Sequence, residues 1–314
     1  MSCAPSRGRG ITIRYGWVAG ASDHPARPQQ NGWVPFRRPH RRAGALLAAL
    51  LAVATLSGCA AGTVAGATPS PVRKTAAPIG PVDPAALRAQ GARIVDDAAS
   101  SSLVIEPRRP NGALVVFLHG WGQTRWSLLA RKEEAGVATA LTDAGFTVLA
   151  ADALGKAWGD PASLQDYTSL IERTQRVRRL RDVFLMGESM GGLATMQLAR
   201  TLPDVQAATA WFPVCDLSTM HEARFQQTIR DAWAGRSRAP VTPVAVGDTP
   251  LLVWASATDT VVDAATNAAV CVARAKAAGA EVTYFHTTGE HGDPSNYQPA
   301  TVVEFFERHR SPGV

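Results

Sequence analysis

The sequence predicts an α/β fold: a doubly wound, mostly parallel eight-stranded sheet with helices on both faces. Three observations predict it. Short apolar runs alternate with longer stretches of helical pattern from about residue 92 to residue 309. Central runs such as Leu114-Val115-Val116-Phe117-Leu118 are apolar at every position, as in strands covered on both faces. Three motifs rich in glycine and chemistry-bearing side chains come just after such runs, and active groups gather at the carboxyl ends of parallel strands.

In chain order, the apolar runs place strands at 92–96, 103–106 and 113–118, followed by a helix over 126–143. A strand at 146–151 leads to a helix over 163–180, and a strand at 183–187 to a helix over 190–201. Next come a strand at 207–212, a helix over 220–233 and a strand at 251–255. A helix over 263–278, a strand at 281–286 and a helix over 299–309 complete the pattern. Right-handed crossovers are expected between the parallel strands.

The domain layout follows from composition. The chain has 314 residues and a formal charge of +6, but residues 1–58 alone carry +7, which leaves the remainder at −1. The basic balance is therefore no argument for nucleic acid. Arg37-Arg38-Pro39-His40-Arg41-Arg42 precedes an apolar run of 16 residues, Ala43 to Gly58. This reads as a signal peptide, somewhat short of the roughly 20 residues of a membrane span. An over-extended gene start, with the initiator near Val34, would account for residues 1–33. The paired arginines also bring twin-arginine export to mind, in a loose pattern.

The run ends in Leu56-Ser57-Gly58-Cys59-Ala60, which resembles the bacterial lipobox. That resemblance implies cleavage before Cys59, lipid attachment to it, and anchoring at the outer face of the cytoplasmic membrane. Residues 59–81 are rich in Ala, Thr, Pro and Gly and read as a flexible tether, which leaves 82–314 as one catalytic domain. Cys215 and Cys271 fall in a compartment that permits disulfides. They either pair or lie as two buried thiols; spacing does not choose.

The most informative stretch is Gly187-Glu188-Ser189-Met190-Gly191-Gly192, between an apolar run and a run of helix formers. It is a G-x-S-x-G turn, in which glycines two positions either side of Ser189 relieve crowding and the hydroxyl is pushed above the sheet edge. The following helix aims its N-terminus, and the N–H of Met190, at a developing oxyanion. An ordinary Gly-rich turn reads the same in isolation, so the other motifs carry weight. His119-Gly120-Trp121-Gly122 follows the strand at 113–118 and offers Trp121 as the second oxyanion donor, its indole lining an acyl pocket. A dinucleotide reading of the same loop fails where Arg125 replaces the third glycine.

Asp259, just beyond the strand at 251–255, is placed to orient an imidazole, with Asp216 as the competing acid. His291, between glycines in Gly289-Glu290-His291-Gly292-Asp293-Pro294, is free to swing over the serine. His286 reads as structural, and His221 and His309 as helix-surface residues.

The order Ser189, Asp259, His291 with an HG loop upstream resembles the α/β-hydrolase superfamily over roughly residues 85–310. Gly-Glu-Ser-Met-Gly-Gly and His-Gly-Asp-Pro look like its bacterial esterase or prolyl-oligopeptidase-like members. Glu188 stands where many relatives have histidine, a departure that bears on substrate preference. The resemblance implies acyl transfer to and from Ser189 on a small or medium carboxylic ester, with neither cofactor nor metal. A peptidase, an acyltransferase and a non-enzymatic surface-binding protein are the rival readings. Phe225 and Trp233 either pack their helix on the sheet or form a small apolar cover. Physiological substrate and oligomeric state stay open.

Overall fold

The computed structural model describes residues 85–312. The expected signal peptide, Cys59 and the tether over 59–81 lie outside these residues. The described chain folds around one eight-stranded sheet, and no helix in it is long and apolar enough to cross a membrane.

The strands are β1 (Arg93–Asp97), β2 (Ser102–Glu106), β3 (Ala113–Leu118), β4 (Thr147–Ala151), β5 (Asp182–Glu188), β6 (Val205–Trp211), β7 (Leu251–Ser256) and β8 (Val282–Thr287). Their spatial order is β1-β2-β4-β3-β5-β6-β7-β8. The β1–β2 and β2–β4 pairs are antiparallel, and every pair from β4 through β8 is parallel. Eight strands were expected and eight are found, each within two residues of its expected bounds.

The helices are α1 (Ala85–Ala89), α2 (Ser127–Ala130), α3 (Lys132–Asp143), α4 (Pro161–Arg178), α5 (Gly191–Thr201), α6 (Ala223–Ala232), α7 (Ala268–Ala277) and α8 (Pro299–Arg308). The two-residue period of β3 shows why they form two layers. Leu114, Val116 and Leu118 join one buried cluster with residues of α4, α5, α6 and α7. Ala113, Val115 and Phe117 join the other, with residues of α1, α2, α3 and α8. A strand apolar at every position thus feeds two cores, as the sequence pattern required. Helix α5 is buried along nearly its whole length, from Gly191 to Ala199, because it packs on β5 and β6 and against α4.

Helix α1 falls where no helix was expected and α6 begins three residues after its expected start; three further helices differ as follows. The helix expected over 126–143 is broken at Arg131, whose backbone is extended (φ −109°, ψ 139°). Helix α4 starts two residues early, because Asp160 accepts a hydrogen bond from Ala162 N–H (2.9 Å) and Pro161 occupies the first turn. Helix α7 starts late: Asp263 caps a separate turn through Thr266 N–H (2.8 Å). Asn267 then spends its side-chain oxygen on the N–H groups of Cys215 (2.9 Å) and Asp216 (3.0 Å).

Cys215 and Cys271 are bridged, tying the segment after β6 to α7 across 56 residues of chain. Between two otherwise open alternatives, the structure selects the disulfide, since Asn267 Oδ1, accepting from the Cys215 and Asp216 N–H groups, holds the Cys215 backbone against the start of α7. Closing a loop of this length restricts the unfolded chain by about 4 kcal/mol. Reduction, or Cys271→Ser with Cys215→Ser, should lower the Tm measured by calorimetry by several degrees. An unchanged Tm would show that the bridge restrains nothing the fold does not already hold.

Candidate active site

Strands β3, β5, β7 and β8 run in one direction, so their carboxyl ends share one edge of the sheet. At the end of β5 the chain turns at Ser189, whose φ of +52° lies in the left-handed region that a side chain disfavours. Such a residue costs of order 1–3 kcal/mol and persists only where its surroundings enforce it. Here they do. Ser189 N–H donates to Trp211 C=O (3.0 Å), and Ser189 C=O accepts from Gly192 N–H and Val214 N–H (both 2.9 Å). The flanking glycines permit the approach: a Cβ on Gly187 would meet Thr195 Oγ1, and one on Gly191 would meet the Leu118 carbonyl oxygen.

The structure brings Ser189, His291 and Asp259 together. His291 Nε2 lies 2.9 Å from Ser189 Oγ, and His291 Nδ1 lies 2.7 Å from Asp259 Oδ2. Asp259 is held by its other oxygen, which accepts from Val261 N–H (2.8 Å) and Val262 N–H (2.9 Å). The acid therefore closes its own loop and faces the imidazole at once. Asp216 is committed elsewhere: Oδ1 accepts from Ser218 N–H (2.8 Å) and Oγ–H (2.6 Å). His286 is exposed on β8 against Tyr284, and His309 sits at the end of α8 beside Glu281. Phe212, which the sequence did not single out, packs edge-on against the His291 ring at 4.5 Å. It restricts the swing that two glycines would allow.

The loop after β3 lies across the turn, with Gly120 in van der Waals reach of the Ser189 side chain. Neither Trp121 N–H nor Met190 N–H has an acceptor among the described residues. The Trp121 indole turns into α6 rather than into open space: it donates to Thr228 Oγ1 (3.1 Å) and meets Phe225 edge-on at 5.3 Å. This differs from its expected place in an acyl pocket, because α6 supplies both an acceptor and an aromatic face. Phe225 and Trp233 are themselves buried, and Trp233 Nε1–H donates to Trp158 C=O (3.1 Å), so they anchor α6 rather than cap the site. Beside the loop lies a groove of about 790 Å³, walled by Gly122, Gln123, Leu154, Lys156, Thr228 and Arg236. Arg125, which broke the dinucleotide pattern, pins the loop instead. It donates to Asp152 through N–H (2.7 Å) and Nη1 (2.8 Å), and to Asp96 through Nε (2.8 Å).

Glu188 does not face the groove, contrary to the expectation that it bears on substrate preference. Only 2% exposed, it points beneath the turn. Its Oε1 accepts from Gln123 Nε2–H (2.6 Å) and lies 3.3 Å from Arg131 Nη1. Burial, then the neighbouring Glu134 carboxyl, pushes its pKa up to about 8. Glu134 is raised as well, mainly by burial.

The alpha/beta hydrolase family profile matches residues 115–312, well over half of the chain. The chain belongs to the alpha/beta hydrolase family. No curated protein matches it significantly in sequence. Among solved structures it is similar to an esterase from Pyrococcus furiosus (TM-score 0.55, 18% identity), over 73% of this chain and 96% of that one. It is also similar to a Thermus thermophilus protein (TM-score 0.51, 18% identity, 69% and 97% of the two chains). A third is the fluorophosphonate-binding serine hydrolase F of Staphylococcus aureus (TM-score 0.52, 12% identity, 69% and 96%). The alpha/beta hydrolase fold is thereby shared along most of the described residues.

A Cβ at Gly191 would clash with the Leu118 backbone, which has no rotamer to escape into. Gly191→Ala should cost about 3 kcal/mol, roughly 6–12 °C in Tm for a domain of this size. A Tm within a degree of wild type would mean that the end of β3 and the serine turn are not tightly apposed.

Proposed function

We propose that this hydrolase-family protein is a serine esterase acting on small or medium carboxylic esters. One observation carries the reading: the unbroken hydrogen-bonded chain from Ser189 Oγ through His291 to Asp259. In this scheme Ser189 Oγ attacks the ester carbonyl while His291 Nε2 takes its proton. Asp259 keeps the Nδ1 proton in place and stabilises the imidazolium. The tetrahedral oxyanion accepts from the otherwise unpartnered N–H groups of Trp121 and Met190, one such donor being worth about 3–4 kcal/mol of activation free energy. His291 then returns the proton to the departing alcohol, and water, activated by the same ring, frees the acid. The groove of about 790 Å³ beside Gly122 and Gln123 is within the size range of small-molecule sites.

Export and anchoring belong to the same proposal. A bridged Cys215–Cys271 pair fits an oxidising compartment, in keeping with the signal peptide and the lipobox-like segment ending at Cys59.

Ser189→Ala should abolish labelling by a fluorophosphonate probe, and Asp259→Asn should lower kcat roughly ten-thousandfold with labelling much slowed. Labelling that survives Ser189→Ala would assign the nucleophile elsewhere. Parallel assays with esters, aminoacyl amides and alternative acceptors on one preparation separate esterase from peptidase and acyltransferase. Cys59→Ser should move the protein from the membrane to the soluble fraction; an unaltered distribution would count against the anchor.

A further inference from the structure

The buried Glu188 and Glu134 form a polar cluster beside the serine turn with the half-buried Gln123 and the more exposed Arg131, and it reaches the serine turn, the loop after β3 and the histidine loop. Glu188 is the residue before Ser189. Gln123 bridges it to the loop after β3: Gln123 Nε2–H donates to Glu188 Oε1 (2.6 Å), and Gln123 Oε1 accepts from Gly120 N–H (2.7 Å), one residue before Trp121. Arg131 reaches the histidine loop. Its guanidinium lies against Gly292, where a Cβ would sit 3.1 Å from Nη2. It is also paired with Glu134 (Nε to Oε1, 2.9 Å) and Glu188 (3.3 Å). Tyr297, on the same side of the histidine loop, donates to Glu134 Oε1 (3.4 Å).

The charges in this cluster do not balance if both acids ionise. Two buried carboxylates face a single guanidinium. Oε2 of Glu134 and Oε2 of Glu188 are both buried with no hydrogen-bond partner, while both Oε1 atoms touch the same guanidinium, that of Arg131. A buried unpaired carboxylate oxygen is costly, and one proton between the two groups removes that cost and leaves the cluster neutral. The extended backbone between α2 and α3 falls at Arg131, the residue whose guanidinium joins the cluster.

We propose that Glu188 is a positioning residue: through a proton shared with Glu134 and a hydrogen bond to Gln123, it sets the oxyanion loop and the histidine loop against Ser189. It touches no substrate. The inference rests on the esterase reading for its kinetic consequence, but the shared proton has a readout of its own. The groups facing the acid pair are Arg131 from the break before α3, Gln123 from the loop after β3 and Tyr297 from the loop before α8; Glu133 adds a further negative charge near Arg131.

The direction of the pH effect follows from the raised carboxyl. Unfolded, Glu188 would ionise near 4.3; folded, it keeps its proton to about 8. The folded state therefore loses stability relative to the unfolded state as pH rises from about 4.3 through about 8. Glu188→Gln keeps the acceptor for Gln123 and replaces the shared proton by a permanent N–H. Its Tm should exceed that of wild type above neutrality, and the difference should close toward acid pH.

In kinetics, Gln123→Ala, a change in a half-buried loop, should lower kcat by roughly ten- to a hundredfold with little change in KM. Glu188→Ala should do the same, and Glu188→Gln should recover most of that loss. Wild-type kcat should fall as pH passes about 8, and Glu188→Gln should remove that fall. The proposal is overturned if Gln123→Ala matches wild-type kcat, or if the Tm difference between Glu188→Gln and wild type is the same at acid and alkaline pH. A wild-type protein that neither takes fluorophosphonate nor turns over esters would instead overturn the esterase reading. The Tm comparison would then still decide whether the proton is shared.

Discussion

A serine forced into left-handed backbone is the constraint around which the rest of the molecule is arranged. The turn at Ser189 is intrinsically unfavourable, and no interaction within the turn itself repairs that. What holds it is its surroundings: hydrogen bonds to Trp211 at the end of β6 and to Val214 just beyond it, and a helix packed so closely that two glycines are obligatory. Because the neighbouring strands are parallel, the same edge also receives the loops bearing Asp259, His291 and Trp121. Strain, topology and proximity of the chemical groups are thus one feature seen at three scales.

The histidine is controlled more tightly than a loop between glycines would suggest. Asp259 fixes one ring nitrogen, Phe212 packs against the ring face, and Arg131 lies against the next residue. Asp259 is in turn held by two backbone N–H groups just beyond it. Each group that handles a proton in the proposed mechanism is therefore fixed by a second group that does not. That is the arrangement expected where an error of about 1 Å in position costs about a hundredfold in rate.

The acids beneath the turn illustrate a trade between stability and order. Two carboxyls buried with one arginine would not be chosen to maximise stability, since burial alone raises both. What they provide is connection. One polar cluster around two buried carboxyls ties together segments more than 160 residues apart in the chain, from Gln123 to Tyr297. An apolar filling of the same volume would pack as well but would not orient the N–H of Gly120.

Much of the fold was legible locally. Strand positions follow from runs of apolar residues, and the serine turn, the acid and the histidine follow from glycine and polar residues at strand ends. These are short-range consequences of backbone geometry and side-chain alternation, so a window of about ten residues contains them. What lay beyond reach were pairings across long separations. Nothing near Cys215 announces Cys271, nothing near Arg131 announces Glu188, and nothing near Trp121 announces Thr228. The helix break at Arg131 belongs with these, because the side chain of that residue pairs with Glu188, 57 residues further on. Residue type and periodicity select which element forms; the burial and pairing of a given polar side chain depend on which distant element arrives beside it, and only the assembled sheet decides that.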